Sequence, residues 1–94
     1  MQAEVQAWIG EAMWPPLANL ARLTEEVGEL ARELNALYGP KRKRADSPQG
    51  DLALEMGDVL FVLAALAVTA GVDLDAAFRD VMGKYRARDG DSLG

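Results

Sequence analysis

The fold of this chain is decided by the stretch QGDLALEMGDVLFVLAALAVTA, residues 49–70. On a helical wheel its large apolar residues point in almost every direction, which is typical of a helix buried on most sides. They are Leu52, Leu54, Met56, Val59, Leu60, Phe61, Leu63, Leu66 and Val68. We therefore expect a helix over residues 49–70 at the centre of an all-α molecule, with Gly71 as the residue that ends it.

Two helices are predicted before it. Residues 3–13 alternate apolar and polar residues at helical spacing, and Trp14-Pro15 ends the pattern because a residue before proline is pushed out of the α region. The apolar side of this first helix is Val5, Trp8, Ile9 and Ala12. The second helix is expected from about 16 to 38, with Pro16 in its first turn. Its apolar stripe is Leu20, Leu23, Val27, Leu30, Ala31, Leu34 and Leu37.

A fourth helix, from 74 to about 87, completes the prediction. Asp73 is its expected N-cap, and Asp75 lies in its first turn. The residues expected to face inward are Leu74, Ala77, Phe78, Val81 and Tyr85. Residues 1–94 are therefore interpreted as one four-helix domain.

Composition narrows the chemistry. Half of the 94 residues are hydrophobic, but a domain of this size gains only marginal stability from a single core. The chain contains neither cysteine nor histidine. Disulfides, thiolate metal sites and Ser-His or Cys-His nucleophiles are therefore excluded. Oligomerisation and a cation bound by oxygen ligands remain as sources of extra stability.

The charge pattern limits the partners. The formal net charge is −5, which disfavours nucleic acid and anionic membranes as partners. Basic residues are nevertheless clustered near the C-terminus and at Lys41–Arg44, in the expected loop 39–49. That block either attracts phosphates at long range or simply keeps a loop soluble. The apolar run 59–70 is too short to span a bilayer and the start of the chain lacks a signal-peptide pattern, so we expect a cytoplasmic protein.

Two pairs of acidic residues carry the functional signal. Glu26 and Glu29 are three residues apart on helix two, and Glu55 and Asp58 have the same spacing on helix three. On facing antiparallel helices the pairs would bring four carboxylates together. Such a site, without nitrogen or sulfur ligands, favours Mg²⁺ or Mn²⁺ over zinc.

The alternative is a solvated acidic face. Arg22 and Arg32 lie three or four residues from Glu26 and Glu29, so the acids of helix two fit an ion-paired surface. On helix three no basic residue lies within helical reach of the acids, and exposure of one edge of the helix is the alternative there. Because burying an unpaired carboxylate costs several kcal/mol, the paired spacing on both helices favours a metal site.

These motifs resemble a known family. Leu23–Ala31 (LTEEVGELA) and Glu55–Leu60 (EMGDVL) are similar to the EExxE…ExxD signature of MazG-like pyrophosphohydrolases, members of the all-α NTP pyrophosphatase superfamily. Trp14–Leu17, Leu37–Gly39 and Val81–Asp89 resemble the short single-domain bacterial subgroup, so the likeness covers nearly the whole chain. The resemblance implies a four-helix bundle completed by oligomerisation, as a dimer or a tetramer built as a dimer of dimers.

The resemblance also implies an activity. Family members hydrolyse nucleoside triphosphates between the α- and β-phosphates, which gives a monophosphate and pyrophosphate; a house-cleaning role in the nucleotide pool is expected. Glu26, Glu29, Glu55 and Asp58 would hold Mg²⁺, with Mn²⁺ as a possible substitute, and the metal would lower the pKa of bound water. Glu25 is the expected additional catalytic carboxylate, either as a ligand or by orienting the attacking water.

Four residues are expected to bind substrate. Lys84 resembles the family's phosphate-contacting lysine and Arg88 would assist it, although both also suit the negative end of a helix dipole. Asn19 matches an asparagine of nucleotide-selective relatives, but a lone polar residue on a helix is more often solvent-facing. Trp14 either stacks on a base or packs in the core or an interface. Met82 replaces an asparagine of longer relatives, which puts any contact made by that asparagine in doubt.

An obligate oligomer with helix three at its centre is expected. That helix has more apolar surface than one small subunit covers, because Leu54, Phe61, Ala64 and Val68 lie opposite its acidic edge. Two rival interpretations remain open from the sequence. One is a non-catalytic helical oligomerisation module, and the other is a sensor that binds a nucleotide or metal without turnover.

Overall fold

The computed structural model describes residues 1–10, 15–39 and 49–89. They form four α-helices and, over those ranges, no strand, which confirms the all-α prediction. The helices are α1 (Gln2–Ile9), α2 (Pro16–Tyr38), α3 (Gln49–Ala70) and α4 (Leu74–Asp89). The predicted bounds of α2 and α3 are confirmed, and α4 runs two residues further than expected.

The predicted end of the first helix is wrong. It ends at Ile9, because Gly10 takes a left-handed conformation (φ 61°) and donates its N–H to the carbonyl oxygen of Gln6 at 3.0 Å. Only glycine adopts that backbone conformation at little cost, so Gly10 stops the helix before the prolines are reached. Trp14 and Ala12 lie outside the described residues, so their predicted roles stay predictions.

α2 and α3 pack against each other as an antiparallel hairpin. Near the start of α2, the amide of Asn19 donates a hydrogen bond to the Thr69 hydroxyl near the end of α3 (3.3 Å), and that hydroxyl bonds the Leu66 carbonyl (3.0 Å). Asn19 is fully buried, so the alternative that it faces solvent is wrong. A buried amide is held in place by the hydrogen bonds it makes, and this one joins the two helices at one end of the hairpin.

α1 covers the other side of α3. Val5 packs on Ala64 and Ala65, and Ile9 and Phe61 lie against that small core. Trp8, on the predicted apolar side of α1, is 79% exposed; its ring meets Phe61 edge to face, at 6.1 Å between ring centroids. The buried face of α1 is therefore narrower than its apolar pattern indicates.

α3 is only partly covered in this arrangement, since 22% of its apolar segment is buried. Its segment Leu52–Ala70 is long and apolar enough to cross a membrane. The prediction that the apolar run of this helix is too short to span a bilayer is therefore wrong. The central helix of a soluble protein has the same composition, and α3 packs on both α1 and α2. The acidic residues Glu55 and Asp58 also fall inside that segment.

The turn into α4 follows the prediction. Gly71 has a positive φ of 71°, and the Asp73 carboxylate accepts the N–H of Ala76 at 3.0 Å, which is N-cap geometry. Of the residues predicted to face inward, Leu74 and Ala77 are half-buried. The prediction is wrong for Phe78, Val81 and Tyr85, which are 62, 42 and 44% exposed. The physical reason is that α4 packs along neither α2 nor α3 in the described part of the chain.

The uncovered apolar surface of α3 also differs from the expected one. Ala64 is buried under α1, and Phe61 and Val68 are partly covered. Leu54, by contrast, is 71% exposed, and Met56 and Leu60 are exposed beside it. The exposed apolar surface of α3 therefore lies at the end of the helix that carries the acidic residues.

Candidate active site

The hairpin brings acidic residues of both helices to one place. Glu26 and Glu29 lie one turn apart on α2, and the antiparallel packing sets them beside Glu55 near the start of α3. One carboxylate oxygen from each of the three residues lies within 4.8 Å of the others. We call Glu26, Glu29 and Glu55 the acidic trio.

Glu26 is the trio member with a basic neighbour. Its Oε2 accepts a hydrogen bond from Nε of Arg22, one turn earlier, at 3.1 Å. The ion pair expected under the solvated-face alternative therefore exists. The Glu26 side chain is nevertheless only 13% exposed, whereas Arg22 is 41% exposed. A half-exposed pair of this kind stabilises little, so its main effect is to fix the orientation of Glu26.

Glu55 lies in the least favourable electrostatic environment. Its Oε2 is buried without a hydrogen-bond partner. Burial raises the pKa of the Glu55 carboxyl, and the negative charges of Glu29, Asp58 and Glu26 and a side-chain hydrogen bond with Glu29 raise it further. A carboxylate kept among other carboxylates attracts either a proton or a cation.

Asp58 and Glu25 are not among the three converging groups. Asp58 is one turn after Glu55 and is exposed, so it is not one of the three converging ligand groups, although its charge acts on Glu55. Glu25 is also exposed and precedes Glu26 on α2.

The predicted phosphate-binding residues lie on α4. Lys84 and Arg88 line an open concavity of about 590 Å³ together with Val81, Tyr85 and Ala87. The Arg88 guanidinium lies 5.0 Å from the centroid of the Tyr85 ring, a cation–π contact that the sequence did not indicate because Tyr85 was assigned to the core. These basic residues are not brought to the acidic trio by the packing of α4 within the described chain.

Known proteins are similar to this chain in sequence. The chain matches the MazG nucleotide pyrophosphohydrolase domain family over residues 15–92. The protein YpjD of Bacillus subtilis (strain 168) is 49% identical over 97% of this chain and 85% of its own length. A dATP/dGTP diphosphohydrolase of Cyanophage S-2L is 36% identical over 94% of this chain and 72% of its own length.

Two solved structures are similar to this chain in fold. The crystal structure of YPJD from Bacillus subtilis superposes with a TM-score of 0.81 at 49% identity, over 89% of each chain. That of the Bacillus-conserved MazG protein, a nucleotide pyrophosphohydrolase, gives a TM-score of 0.77 at 46% identity, over 97% of this chain and 90% of that one. A family match over most of the length, together with the acidic trio, leads to one conclusion: this chain belongs to the MazG nucleotide pyrophosphohydrolase family and is a nucleotide pyrophosphohydrolase.

Proposed function

We propose that the protein hydrolyses ribo- or deoxynucleoside triphosphates between the α- and β-phosphates, releasing a nucleoside monophosphate and pyrophosphate. The observation that carries the proposal is the convergence of three carboxylate oxygens within 4.8 Å at the middle of the hairpin. The chain has no histidine, and we expect a carboxylate to take the proton of the attacking water. Carboxylates alone would repel a triphosphate, and a cation is therefore part of the proposal.

The trio suits a hard divalent cation. Its ligands are all carboxylate oxygens, and the Oε2 of Glu55 is buried without a hydrogen-bond partner. Oxygen-only ligands of this kind favour Mg²⁺, with Mn²⁺ as a substitute. Glu26, Glu29 and Glu55 would hold it, with Asp58 as the fourth ligand. Bound Mg²⁺ supplies positive charge against the phosphates and lowers the pKa of the water it binds.

Other residues of the chain would orient the ligands, accept a proton and bind the phosphates. Arg22 holds Glu26 in a fixed orientation. Glu25, an exposed carboxylate that precedes Glu26 on α2, would act as a further metal ligand or orient the attacking water and accept its proton. Lys84 and Arg88 bind phosphate oxygens. Asn19, as a substrate contact, would have to act from its buried place at the Thr69 end of the hairpin, and this role stays a prediction.

The substrate class is expected to include purine deoxynucleotides. The Cyanophage S-2L relative, 36% identical, is a dATP/dGTP diphosphohydrolase, so dATP and dGTP are the first substrates to test. A house-cleaning role in the cytoplasmic nucleotide pool, a homo-oligomeric state and the absence of nucleic acid and membrane partners complete the proposal. Exposed Leu54, Met56 and Leu60 support oligomerisation through α3.

The experiment measures pyrophosphate and nucleoside monophosphate released from dATP, dGTP, other ribo- and deoxynucleoside triphosphates and oxidised analogues, with and without Mg²⁺. Glu29→Gln and Asp58→Asn are expected to lose at least a hundredfold in rate while circular dichroism shows an intact helical fold. Glu4→Gln, at an exposed position of α1, is the matched control and should keep the wild-type rate. Full activity in both site variants would refute the assignment, and tight nucleotide binding without turnover would favour the sensor.

A further inference from the structure

Arg22 is the basic residue bonded to the acidic trio. Its Nε donates a hydrogen bond to Oε2 of Glu26 at 3.1 Å, across one turn of α2. The Glu26 side chain is mostly buried, whereas the Arg22 side chain reaches it from the surface of the helix. A pair of this kind adds little to stability, but it fixes which oxygen of Glu26 faces Arg22.

Arg22 and the rest of the trio lie on opposite sides of Glu26. Along the axis of α2, Arg22 is about 6 Å before Glu26 and Glu29 is about 4.5 Å after it. The bond to Arg22 thus draws Oε2 toward the start of α2, while an oxygen of Glu26 lies within 4.8 Å of oxygens of Glu29 and Glu55. The Glu26 carboxylate is therefore shared between a guanidinium on one side and the trio on the other.

This sharing limits how Glu26 binds a cation. A carboxylate that binds through both oxygens turns both of them toward the ion. Glu26 could do so only by rotating Oε2 away from Nε of Arg22, which would break the 3.1 Å bond. With the bond in place, Glu26 is held in an orientation that offers the ion a single oxygen.

Mg²⁺ and Ca²⁺ differ in the ligands they require. Mg²⁺ takes about six oxygens in octahedral geometry, whereas Ca²⁺ takes about six to eight at longer distances and often binds carboxylates through both oxygens. In the proposed site, one oxygen from each member of the trio and one from Asp58 leave two octahedral positions for water and phosphate. The same four oxygens leave Ca²⁺ short of ligands.

We propose that Arg22 sets the metal specificity of the site: by holding Oε2 of Glu26, it keeps that carboxylate a one-oxygen ligand, which favours Mg²⁺ over Ca²⁺. Arg22 is a positioning residue in this proposal, since it acts through Glu26 and contacts neither the cation nor the substrate. The inference rests on the proposed function, which places the cation at the trio.

The orientation of Glu26 and the charge of Arg22 have separable effects. The positive charge of Arg22 weakens the binding of either cation, and it does so nearly equally because Mg²⁺ and Ca²⁺ carry the same charge. Release of Oε2 gives Glu26 a second oxygen to offer, and Ca²⁺ gains more from it than Mg²⁺ does. The ratio of the Kd for Ca²⁺ to the Kd for Mg²⁺ therefore measures the orientation effect alone.

The test measures this ratio without nucleotide. Melting temperatures over concentration series of MgCl₂ and CaCl₂, at constant ionic strength, give the two Kd values, because a cation that binds only the folded protein stabilises it. The variants are Arg22→Met, which removes the charge and the bond, and Arg22→Lys, which keeps the charge but replaces the planar guanidinium by a mobile ammonium. Arg32→Met is the matched control, since Arg32 is exposed on α2 three residues after Glu29 and makes no ion pair among the described residues.

Both Arg22 variants should lower the ratio, by about three- to fivefold if the bond contributes what a strong pair of this kind does. Arg22→Met should also bind both cations more tightly than wild type, and Arg32→Met should keep the wild-type ratio. An unchanged ratio in either Arg22 variant, or an equal fall in Arg32→Met, would overturn the inference. A folded wild-type protein that neither cation stabilises would overturn the proposed function instead.

Discussion

At Glu55, the environment that favours cation binding destabilises the folded protein when no metal is bound. Burial and three neighbouring carboxylates raise the pKa of its carboxyl, so the folded protein without metal holds a proton there more tightly than the unfolded chain does. Stability of the metal-free protein must therefore fall as pH rises from the ordinary glutamate range through the raised pKa. A divalent cation reverses this slope, because it replaces the proton and binds better as pH rises.

Glu55→Gln removes the buried negative charge that destabilises the metal-free protein. We expect the variant without metal to melt at a higher temperature than wild type at neutral pH, and its melting temperature to respond less to pH between about 4 and 8. Addition of Mg²⁺ should raise the melting temperature of wild type but not of the variant. Thermal scans at several pH values, with EDTA or with Mg²⁺, measure both effects. A variant that is less stable than wild type at pH 7 and is still stabilised by Mg²⁺ would contradict this account.

The elements differ in how far sequence alone determines them. α2, α3 and the turn into α4 were predicted well because their signals are local: Pro16 in the first turn, Gly71 at positive φ and the Asp73 cap. The spacing on two antiparallel helices also predicted that carboxylates of α2 and α3 meet, but it included Asp58, which is not one of the three converging groups. The direction of α4 was not predicted, because it depends on Gln2, 72 residues before Leu74.

Gln2→Ala tests whether the Gln2 side chain holds the start of α4 in place. Gln2 accepts the N–H of Leu74 through Oε1 at 2.7 Å and donates from Nε2 to the Val72 carbonyl at 2.7 Å. Two hydrogen bonds are lost, and the N–H of Leu74 loses its partner, so unfolding should become easier by about 1–2 kcal/mol. If this side chain positions α4, which carries Lys84 and Arg88, the KM for dATP should rise several-fold while kcat falls less. The reason is that α4 is correctly placed in a smaller fraction of the molecules. Gln6→Ala, exposed on the same helix, is the control. Equal KM values for the two variants would show that Gln2 does not position α4.

The whole molecule is more extended than a compact chain of the same length. Its radius of gyration is 16.3 Å, whereas a compact chain of this length has about 12 Å. The buried apolar residues of the described chain are Val5, Val62, Ala64, Ala65 and Ala67. Two valines and three alanines make a small core, so most of the apolar surface must be buried elsewhere. The sequence predicted this need from α3 but placed the Phe78, Val81 and Tyr85 side of α4 inside the subunit.

The expected state in solution is a dimer or a dimer of dimers. Light scattering coupled to size-exclusion chromatography at micromolar concentration should give twice or four times the chain mass. Tyr85→Asp, which puts a charge into the exposed apolar stripe of α4, should shift the protein toward smaller species, whereas Arg79→Glu, outside the Val81–Lys84–Tyr85–Arg88 face, should not. A wild-type protein that is folded and monomeric under these conditions would contradict the account.

The central claim is that Glu26, Glu29 and Glu55 hold the catalytic cation, and anomalous diffraction tests it most directly. A crystal soaked in Mn²⁺, measured near the manganese edge, should show an anomalous peak within about 2.5 Å of carboxylate oxygens of all three residues. The peak should vanish in Glu55→Gln crystals soaked in the same way. A peak elsewhere, or none beside the trio at a Mn²⁺ concentration that supports turnover, would contradict it.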